Sequence, residues 1–130
     1  MSFWKHFFVA AVVTCAGEAA PAENFWRALH GVETGGRVGQ ILGDNGRSLG
    51  PYQITRNYHR DSGVAGSYEK VADVAYARKV VEAYFRKYEP AAWRRGDVEV
   101  LARLHNSGPG WRTKRHLTDA YVARIRRAMR

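Results

Sequence analysis

The stretch Asn24-Phe25-Trp26-Arg27-Ala28-Leu29-His30-Gly31-Val32-Glu33-Thr34-Gly35-Gly36 decides how the chain folds around its first helix. Its apolar residues recur at the spacing of one helix face. Asn24 suits the N-cap, and the pair Gly35-Gly36 favours a stop, because glycine tolerates the left-handed conformation in which helices commonly end. We therefore expect a helix from about Asn24 to Glu33, which places a carboxyl group at the end of an apolar helix.

The residues that follow have the composition of a small β-hairpin. Residues 37–50 combine β-branched side chains with the turn-forming run Gly43-Asp44-Asn45-Gly46. Pro51 then favours the first position of a short helix that would carry Ile54 and Tyr58. The sequence thus predicts one hairpin and one short helix after the first helix.

The rest of the chain is predicted to be helical. The longest helix is expected over residues 68–88, where apolar side chains recur at three and four residues, and Pro90 is expected to end it. Asp97 suits the N-cap of the next helix, which is expected to end at residues 105–110. Thr118 suits the start of the last helix. Together these patterns predict an α+β fold that is mostly helical, with a small β-hairpin after the first helix.

The beginning of the chain differs from the remainder. Within residues 1–22, Lys5 and His6 precede an apolar run of about ten residues from Phe7 to Ala16, and small residues follow. This is the arrangement of a secretory signal peptide, and the run is shorter than the roughly 20 residues that cross a bilayer as a helix. At 130 residues in all, the chain can form one ordinary core. We expect a removable signal at 1–22 and one secreted domain at 23–130, extracellular or, in a bacterium, periplasmic.

The chain is strongly basic. It has 21 Lys and Arg residues against 12 Asp and Glu residues. The charged residues of 1–22 are Lys5 and Glu18, whose charges cancel, so the domain at 23–130 keeps the net charge of +9. Such a surface suits polyanions, which for an exported protein means bacterial wall polymers, anionic lipid or stray nucleic acid. Solubility alone is the simpler reason for the charge. We expect no specific nucleic-acid partner and a monomer.

Two carboxylates stand in unlike surroundings, Glu33 at the end of the apolar helix and Asp44 in the glycine-flanked turn. Apolar neighbours favour the protonated form of Glu33, whereas water and backbone amides favour the ionised form of Asp44. Glycoside hydrolysis needs such a pair, one acid to donate a proton and one carboxylate to act as nucleophile, base or electrostatic support. Their separation of 11 positions in the sequence (44 − 33) is enough for a strand and a turn back across a cleft. Most acidic residues of a basic protein lie on its surface without a catalytic role. From the pair alone, Glu33 and Asp44 could equally be two such surface residues.

Several motifs around these acids resemble the invertebrate-type (i-type) lysozymes, the destabilase family. The motifs occur in the family's order, and residues 80–88 are similar to its central helix, so the resemblance spans about residues 25–125. Lysozymes are also the type example of the two-carboxylate pattern, which is therefore no independent evidence. The motifs are Val32-Glu33-Thr34-Gly35-Gly36, Gly43-Asp44, Ser48-Leu49-Gly50-Pro51-Tyr52-Gln53-Ile54 and Ala102-Arg103-Leu104-His105-Asn106-Ser107-Gly108-Pro109.

The resemblance implies a lysozyme-like fold and a retaining glycosidase that cuts the β-1,4 bond between N-acetylmuramic acid and N-acetylglucosamine in peptidoglycan. It assigns Glu33 as general acid/base and Asp44 as nucleophile, with carboxyls roughly 5 to 5.5 Å apart. No cofactor and no metal are expected, since the histidines share no ligand spacing with cysteines or clustered carboxylates. The residues that it places along the sugar chain are Ser48, Gly50, Tyr52, Gln53, Ile54, Tyr84, His105, Asn106 and Ser107.

The chain departs from the family pattern at its cysteines. Family members carry many disulfides, whereas this sequence has only Cys15, and Gly36, Gly39 and Leu49 stand where cysteines are expected. The stretch between Asp44 and Gly50 is also one residue shorter than in the family pattern. The resemblance is thus to an outlying member without disulfides, held together by packing.

Three alternatives remain open. A lytic transglycosylase would use Glu33 alone and close the muramyl 6-hydroxyl onto its own anomeric carbon. A catalytically idle cationic protein would bind walls or act as an antimicrobial agent through its charge. The isopeptidase activity credited to some family members would need Ser48 and His105 as a working pair, whereas the simpler interpretation makes them a turn residue and a cleft-wall hydrogen bonder.

Overall fold

The computed structural model describes residues 19–130. Residues 1–18, which include most of the predicted signal peptide and Cys15, lie outside the described residues. None of the described helices is both long enough and apolar enough to cross a membrane.

Helices dominate the described chain, and a small sheet follows the first helix, which confirms the predicted α+β fold. Three short 3-10 helices cover Asp44–Gly46, Tyr68–Ala72 and Trp111–Thr118. The strands are β1 (Leu42–Gly43), β2 (Ser48–Leu49) and β3 (Ile54–Thr55). The α-helices are α1 (Glu23–Thr34), α2 (Arg56–Ser62), α3 (Val74–Tyr88), α4 (Pro90–Arg95), α5 (Val98–Ser107) and α6 (Asp119–Ala128).

The first helix ends as predicted and begins differently. Gly35 adopts a left-handed φ of 66°, and its N–H donates to the carbonyl oxygen of Gly31 at 2.8 Å. The prediction that Asn24 is the N-cap of α1 is wrong. Ala22 occupies the N-cap position, and no side chain caps the helix there. The Asn24 amide instead donates to the carbonyl oxygen of Met129 at 3.4 Å. Asn24 therefore ties the start of α1 to the C-terminal end of the chain.

The predicted hairpin is present, and a third strand extends it. β1 pairs antiparallel with β2, and β2 pairs antiparallel with β3. The helix expected from Pro51 is wrong in its position, because Pro51 lies in a turn and Ile54 in β3. Thr55 caps α2 by accepting from the N–H of Tyr58 at 3.1 Å. A side-chain cap at Thr55 thus outweighs the preference of Pro51 for a helix start.

The longest predicted helix is divided into two parts. Residues 68–72 form a 3-10 turn, and the carboxylate of Asp73 then caps α3 by accepting from the N–H of Tyr76 at 2.8 Å. Pro90 does follow the end of α3, and it also begins α4, a helix that the sequence did not predict. Asp97 caps α5 as expected. Proline at a first helical position is favourable because its missing N–H would have no partner there.

A single core lies between the helices and the sheet. Arg103 is 5% exposed and ties α5 to the segment before α6. Its guanidinium donates to Glu99, to the carbonyl oxygen of Arg115 and to the side chains of Thr118 and Asp119. Burial without such partners would be costly for a guanidinium, so this network fixes where α6 starts. The fully buried large apolar residues include Phe25, Leu29, Ile54, Phe85, Leu101, Leu104 and Ile125.

Candidate active site

A cleft of about 520 Å³ opens where the end of α1, the sheet, α2 and the end of α5 meet. Eight of the predicted site residues line this cleft: Glu33, Asp44, Ser48, Gln53, Tyr84, His105, Asn106 and Ser107. Residues that the sequence did not single out also line it: Thr55, Asn57, Tyr58, Asp61 and Gly108. The fold thus brings together side chains from seven helices and strands, including both candidate acids.

The other three predicted binding residues are buried beneath the cleft. Ile54 is fully buried, and Tyr52 is 3% exposed. The main-chain carbonyl of Tyr52 nevertheless reaches the site, where it accepts from Nε2 of His105 at 3.0 Å. Gly50 has a φ of 83°, and a Cβ there would lie 2.1 Å from the carbonyl oxygen of Val71. The prediction that these three residues line the cleft is therefore wrong, although the main chain of Tyr52 contacts His105.

Glu33 stands in the last turn of α1, in a partly enclosed position. Its side chain is 18% exposed. The hydroxyl of Tyr121 on α6 donates to Oε1 of Glu33 at 2.6 Å, and Nε2 of His105 lies 3.7 Å from the same oxygen. Burial, and then the charge of Glu33, raises the pKa of Tyr121 well above its usual value. Tyr121 therefore keeps its proton and remains a donor at working pH.

His105 is held from both sides. The carbonyl of Tyr52 can only accept, so Nε2 of His105 carries the hydrogen of that bond. Nδ1 then accepts from the hydroxyl of Tyr58 at 2.9 Å. Burial lowers the pKa of His105, although the charge of Glu33 and the Tyr52 carbonyl oppose this effect. The imidazole is thus neutral at pH 7, with one defined tautomer.

Asp44 lines the same cleft from the turn between β1 and β2, in contrasting surroundings. Its side chain is 60% exposed, and Oδ1 pairs with a terminal nitrogen of Arg47 at 3.3 Å. The backbone φ of Asp44 is 51°, a left-handed value that short polar side chains tolerate better than most. Water and a neighbouring cation both favour a carboxylate in its ionised form. Of the three carboxyl side chains that line the cleft, Glu33 is thus largely enclosed and Asp44 largely solvated, and Asp61 is the third.

Gln53 and a pair of stacked tyrosines connect the segments that line the cleft. The amide of Gln53 donates to the carbonyl oxygens of Ile41 at 3.0 Å and Gly50 at 2.9 Å, which joins the segment before β1 to the turn after β2. The rings of Tyr58 and Tyr84 stack with centroids 3.7 Å apart. Burial raises the pKa of Tyr84 to about 12, so both rings present neutral hydroxyls.

Comparison with known proteins identifies the family. No family model matches the chain. The chain is 32% identical over 104 residues to a lysozyme of Magallana gigas, covering 78% of this chain and 76% of that protein. It is 33% identical over 103 residues to lysozyme 1 of Crassostrea virginica, covering 76% of this chain and 55% of that protein.

The chain belongs to the invertebrate-type lysozyme family.

Membership of this family confirms the resemblance found in the motifs and makes the chain a glycoside hydrolase of the lysozyme type. The sequence contains a single cysteine, Cys15, so no disulfide can form between two of its own residues. This member of the lysozyme family relies on the packed core and on buried networks such as that of Arg103.

The tyrosines behind Glu33 are the functional candidates that the sequence missed. Tyr121 lies 88 positions from Glu33, and Tyr58 lies 47 positions from His105. Both occupy apolar helix positions, where an aromatic ring normally indicates core. The only local signal is chemical: a buried tyrosine hydroxyl needs a hydrogen-bond partner. Nothing in the sequence says which partner it finds.

The geometry leaves His105 without a free nitrogen for other chemistry. Nδ1 and Nε2 are engaged by Tyr58 and Tyr52, so in this arrangement no lone pair is available to activate Ser48. Ser48 itself is 7% exposed at the edge of the cleft. Within residues 19–130, no group of three or more His, Cys, Asp and Glu side chains is arranged to hold a metal ion.

Proposed function

We propose that the protein is a secreted muramidase that hydrolyses the β-1,4 bond between N-acetylmuramic acid and N-acetylglucosamine in bacterial peptidoglycan. The observation that carries the proposal is the pairing of unlike carboxyls in one cleft, Glu33 with 18% of its side chain exposed and Asp44 with 60%. A proton donor and an ionised carboxylate need such different surroundings. The net charge of +9 suits an anionic wall.

Glu33 acts first as an acid and then as a base. It donates its proton to the glycosidic oxygen as the bond from that oxygen to the anomeric carbon breaks, and the carboxylate of Asp44 attacks the anomeric carbon from the other face. A covalent glycosyl ester forms on Asp44, and the leaving sugar departs with the proton. Glu33, now ionised, removes a proton from water, which attacks the same carbon and releases Asp44. Two inversions give net retention.

The remaining cleft residues position the sugar chain in this scheme. Asn106 and Ser107 are exposed at the end of α5, where their polar groups are free to bind sugar hydroxyls and acetamido groups. Gln53 and Ser48 lie on the sheet side of the same cleft. Tyr84 on α3 lines it as well. These roles follow from position and from the polar chemistry of the substrate.

A turbidity assay on bacterial cell walls tests the proposal. Glu33→Gln removes the acidic proton while keeping size and hydrogen bonding, so lysis should fall by about 10²-fold or more. Glu82→Gln, a change at a glutamate on α3 away from the cleft, is the matched control and should leave lysis unchanged. Equal lysis by wild type and Glu33→Gln would contradict an enzymatic role and favour a protein that disrupts walls by charge alone.

Product analysis distinguishes hydrolysis from transglycosylation. A retaining hydrolase releases sugars with free reducing ends. Products with 1,6-anhydro ends, together with full activity of Asp44→Asn, would replace the two-carboxylate scheme by one that uses Glu33 alone.

A further inference from the structure

The two oxygens of the Glu33 carboxyl have different surroundings. Oε1 accepts a hydrogen bond of 2.6 Å from the hydroxyl of Tyr121 and lies 3.7 Å from Nε2 of His105. In the described part of the chain, no hydrogen bond from the protein reaches Oε2. Because Glu33 lines the cleft while Tyr121 is 4% exposed, Oε1 is tied to the protein and Oε2 is left for the substrate.

The hydrogen of the Tyr121 hydroxyl points at Oε1 whether or not Glu33 is ionised. If a proton sat on Oε1 and donated to the tyrosine oxygen, the tyrosine's own hydrogen would need another acceptor, and the described structure gives Tyr121 none besides Glu33. A buried donor without a partner is strongly disfavoured. Tyr121 therefore donates to Oε1 in both states.

His105 reinforces the same preference. Its Nε2 carries a hydrogen, because the carbonyl of Tyr52 only accepts, and Tyr58 fixes this tautomer from the Nδ1 side. Oε1 thus lies near two positively polarised hydrogens, one of a hydroxyl and one of an imidazole. A third hydrogen on Oε1 itself would be repelled by both.

We propose that Tyr121, supported by His105 and Tyr58, is a positioning residue that confines the acidic proton of Glu33 to Oε2. This inference rests on the proposed function, in which Glu33 is the proton donor. The proton moves from Oε2 to the glycosidic oxygen, and the charge left on the carboxylate is stabilised at Oε1 by the Tyr121 hydrogen bond. In the second step Oε2 takes up a proton from water, and Tyr121 keeps its own proton throughout.

A carbon-13 NMR titration of the Glu33 side-chain carboxyl tests the contact directly, without any need for activity. Tyr121→Phe removes the donor and keeps the ring, so the midpoint of the Glu33 titration should rise, because the ionised carboxylate loses a stronger hydrogen bond than the protonated form does. Tyr76→Phe is the matched control. It removes a hydroxyl that donates to the carbonyl oxygen of Ala65 and contacts His59, outside the cleft, and it should leave the midpoint unchanged. An unchanged midpoint in folded Tyr121→Phe would overturn the proposal.

A second measurement uses the wild-type protein and needs no variant to fold. The ring carbon that bears the Tyr121 hydroxyl should change its chemical shift with the same midpoint as the Glu33 carboxyl, since the two groups share one hydrogen bond. Independence of the two titrations would overturn the proposal.

The kinetic consequence separates positioning from mere structural support. On soluble peptidoglycan fragments, Tyr121→Phe should lower kcat about tenfold with KM unchanged, and should move the alkaline limb of the pH profile upward with the NMR midpoint. A rise in KM with an unmoved pH profile would mean a structural role and contradict the proposal. If the wild type cleaves no fragments, the proposed function fails, whereas the NMR titrations still decide whether the Tyr121 hydroxyl acts on the Glu33 carboxyl.

Discussion

Replacing Gly50 with alanine tests how the turn beneath the cleft is built. Gly50 has a φ of 83°, and an added Cβ would lie 2.1 Å from the carbonyl oxygen of Val71 and 2.9 Å from its carbonyl carbon. Both are backbone atoms, which cannot rotate out of the way as a side chain can. Either the turn after β2 or the 3-10 segment Tyr68–Ala72 therefore has to move.

The size of the loss follows from two contributions. A left-handed conformation costs a residue with a Cβ roughly 1–2 kcal/mol. Overpacking against an unyielding neighbour adds about 1–3 kcal/mol. The free energy of unfolding of Gly50→Ala should therefore fall by about 2–5 kcal/mol. Gly63→Ala isolates the first contribution, because Gly63 has a φ of 70° and no atom within 4 Å of the added Cβ.

Urea unfolding followed by tryptophan fluorescence measures both variants against wild type under one set of conditions. Gly50→Ala should lose clearly more stability than Gly63→Ala. Equal losses in the two variants would refute the argument that the close approach of Val71, and not the backbone angle alone, makes glycine necessary at position 50.

Two further predictions concern stability. Burial lowers the pKa of His105, so the unfolded chain binds its proton more readily than the folded chain does. The free energy of unfolding should then decrease as the pH falls from about 6.5, the usual pKa of histidine, towards the lower pKa of the folded state. His105→Gln should lack this decrease. The same dependence of the unfolding free energy on pH in both proteins would contradict the prediction. Arg103→Met leaves Asp119 and the Thr118 hydroxyl without their shared donor and should cost about 3 kcal/mol or more in urea unfolding. Arg127→Met, at an exposed position on α6, should change stability by less than about 0.5 kcal/mol, and similar losses in the two variants would count against the network.

The sequence predicted those parts of the fold that local interactions determine. Gly35 ends α1 and Asp97 begins α5, because a left-handed glycine and a capping carboxylate act within a few residues. The prediction of a helix at Pro51 was wrong because proline fits turns as well as helix starts. The third strand was not predicted because it depends on the pairing of Ile54 with Leu49. The break at Asp73 was missed because the apolar spacing continues across it.

The site could be predicted only where chemistry and chain order coincide. Glu33 and Asp44 were singled out as candidates because both stand at element ends close together in sequence, and both line one cleft. Tyr121 was not predicted, because its contact with Glu33 depends on the packing of α6 against α1, which no local sequence pattern indicates. Tyr52 contributes a carbonyl and not its side chain, a role invisible to residue type.

The assignment of proton donor and nucleophile is tested most directly with an aryl glycoside of the wall disaccharide whose phenol is so acidic that it leaves without protonation. Glu33→Ala should release a rapid burst of about one phenolate per enzyme and then slow, because the ester on Asp44 forms without an acid catalyst and hydrolyses slowly without a base. Asp44→Asn, which lacks the nucleophile, should release none. A burst from Asp44→Asn, or no release from Glu33→Ala that still binds the glycoside, would contradict the two roles.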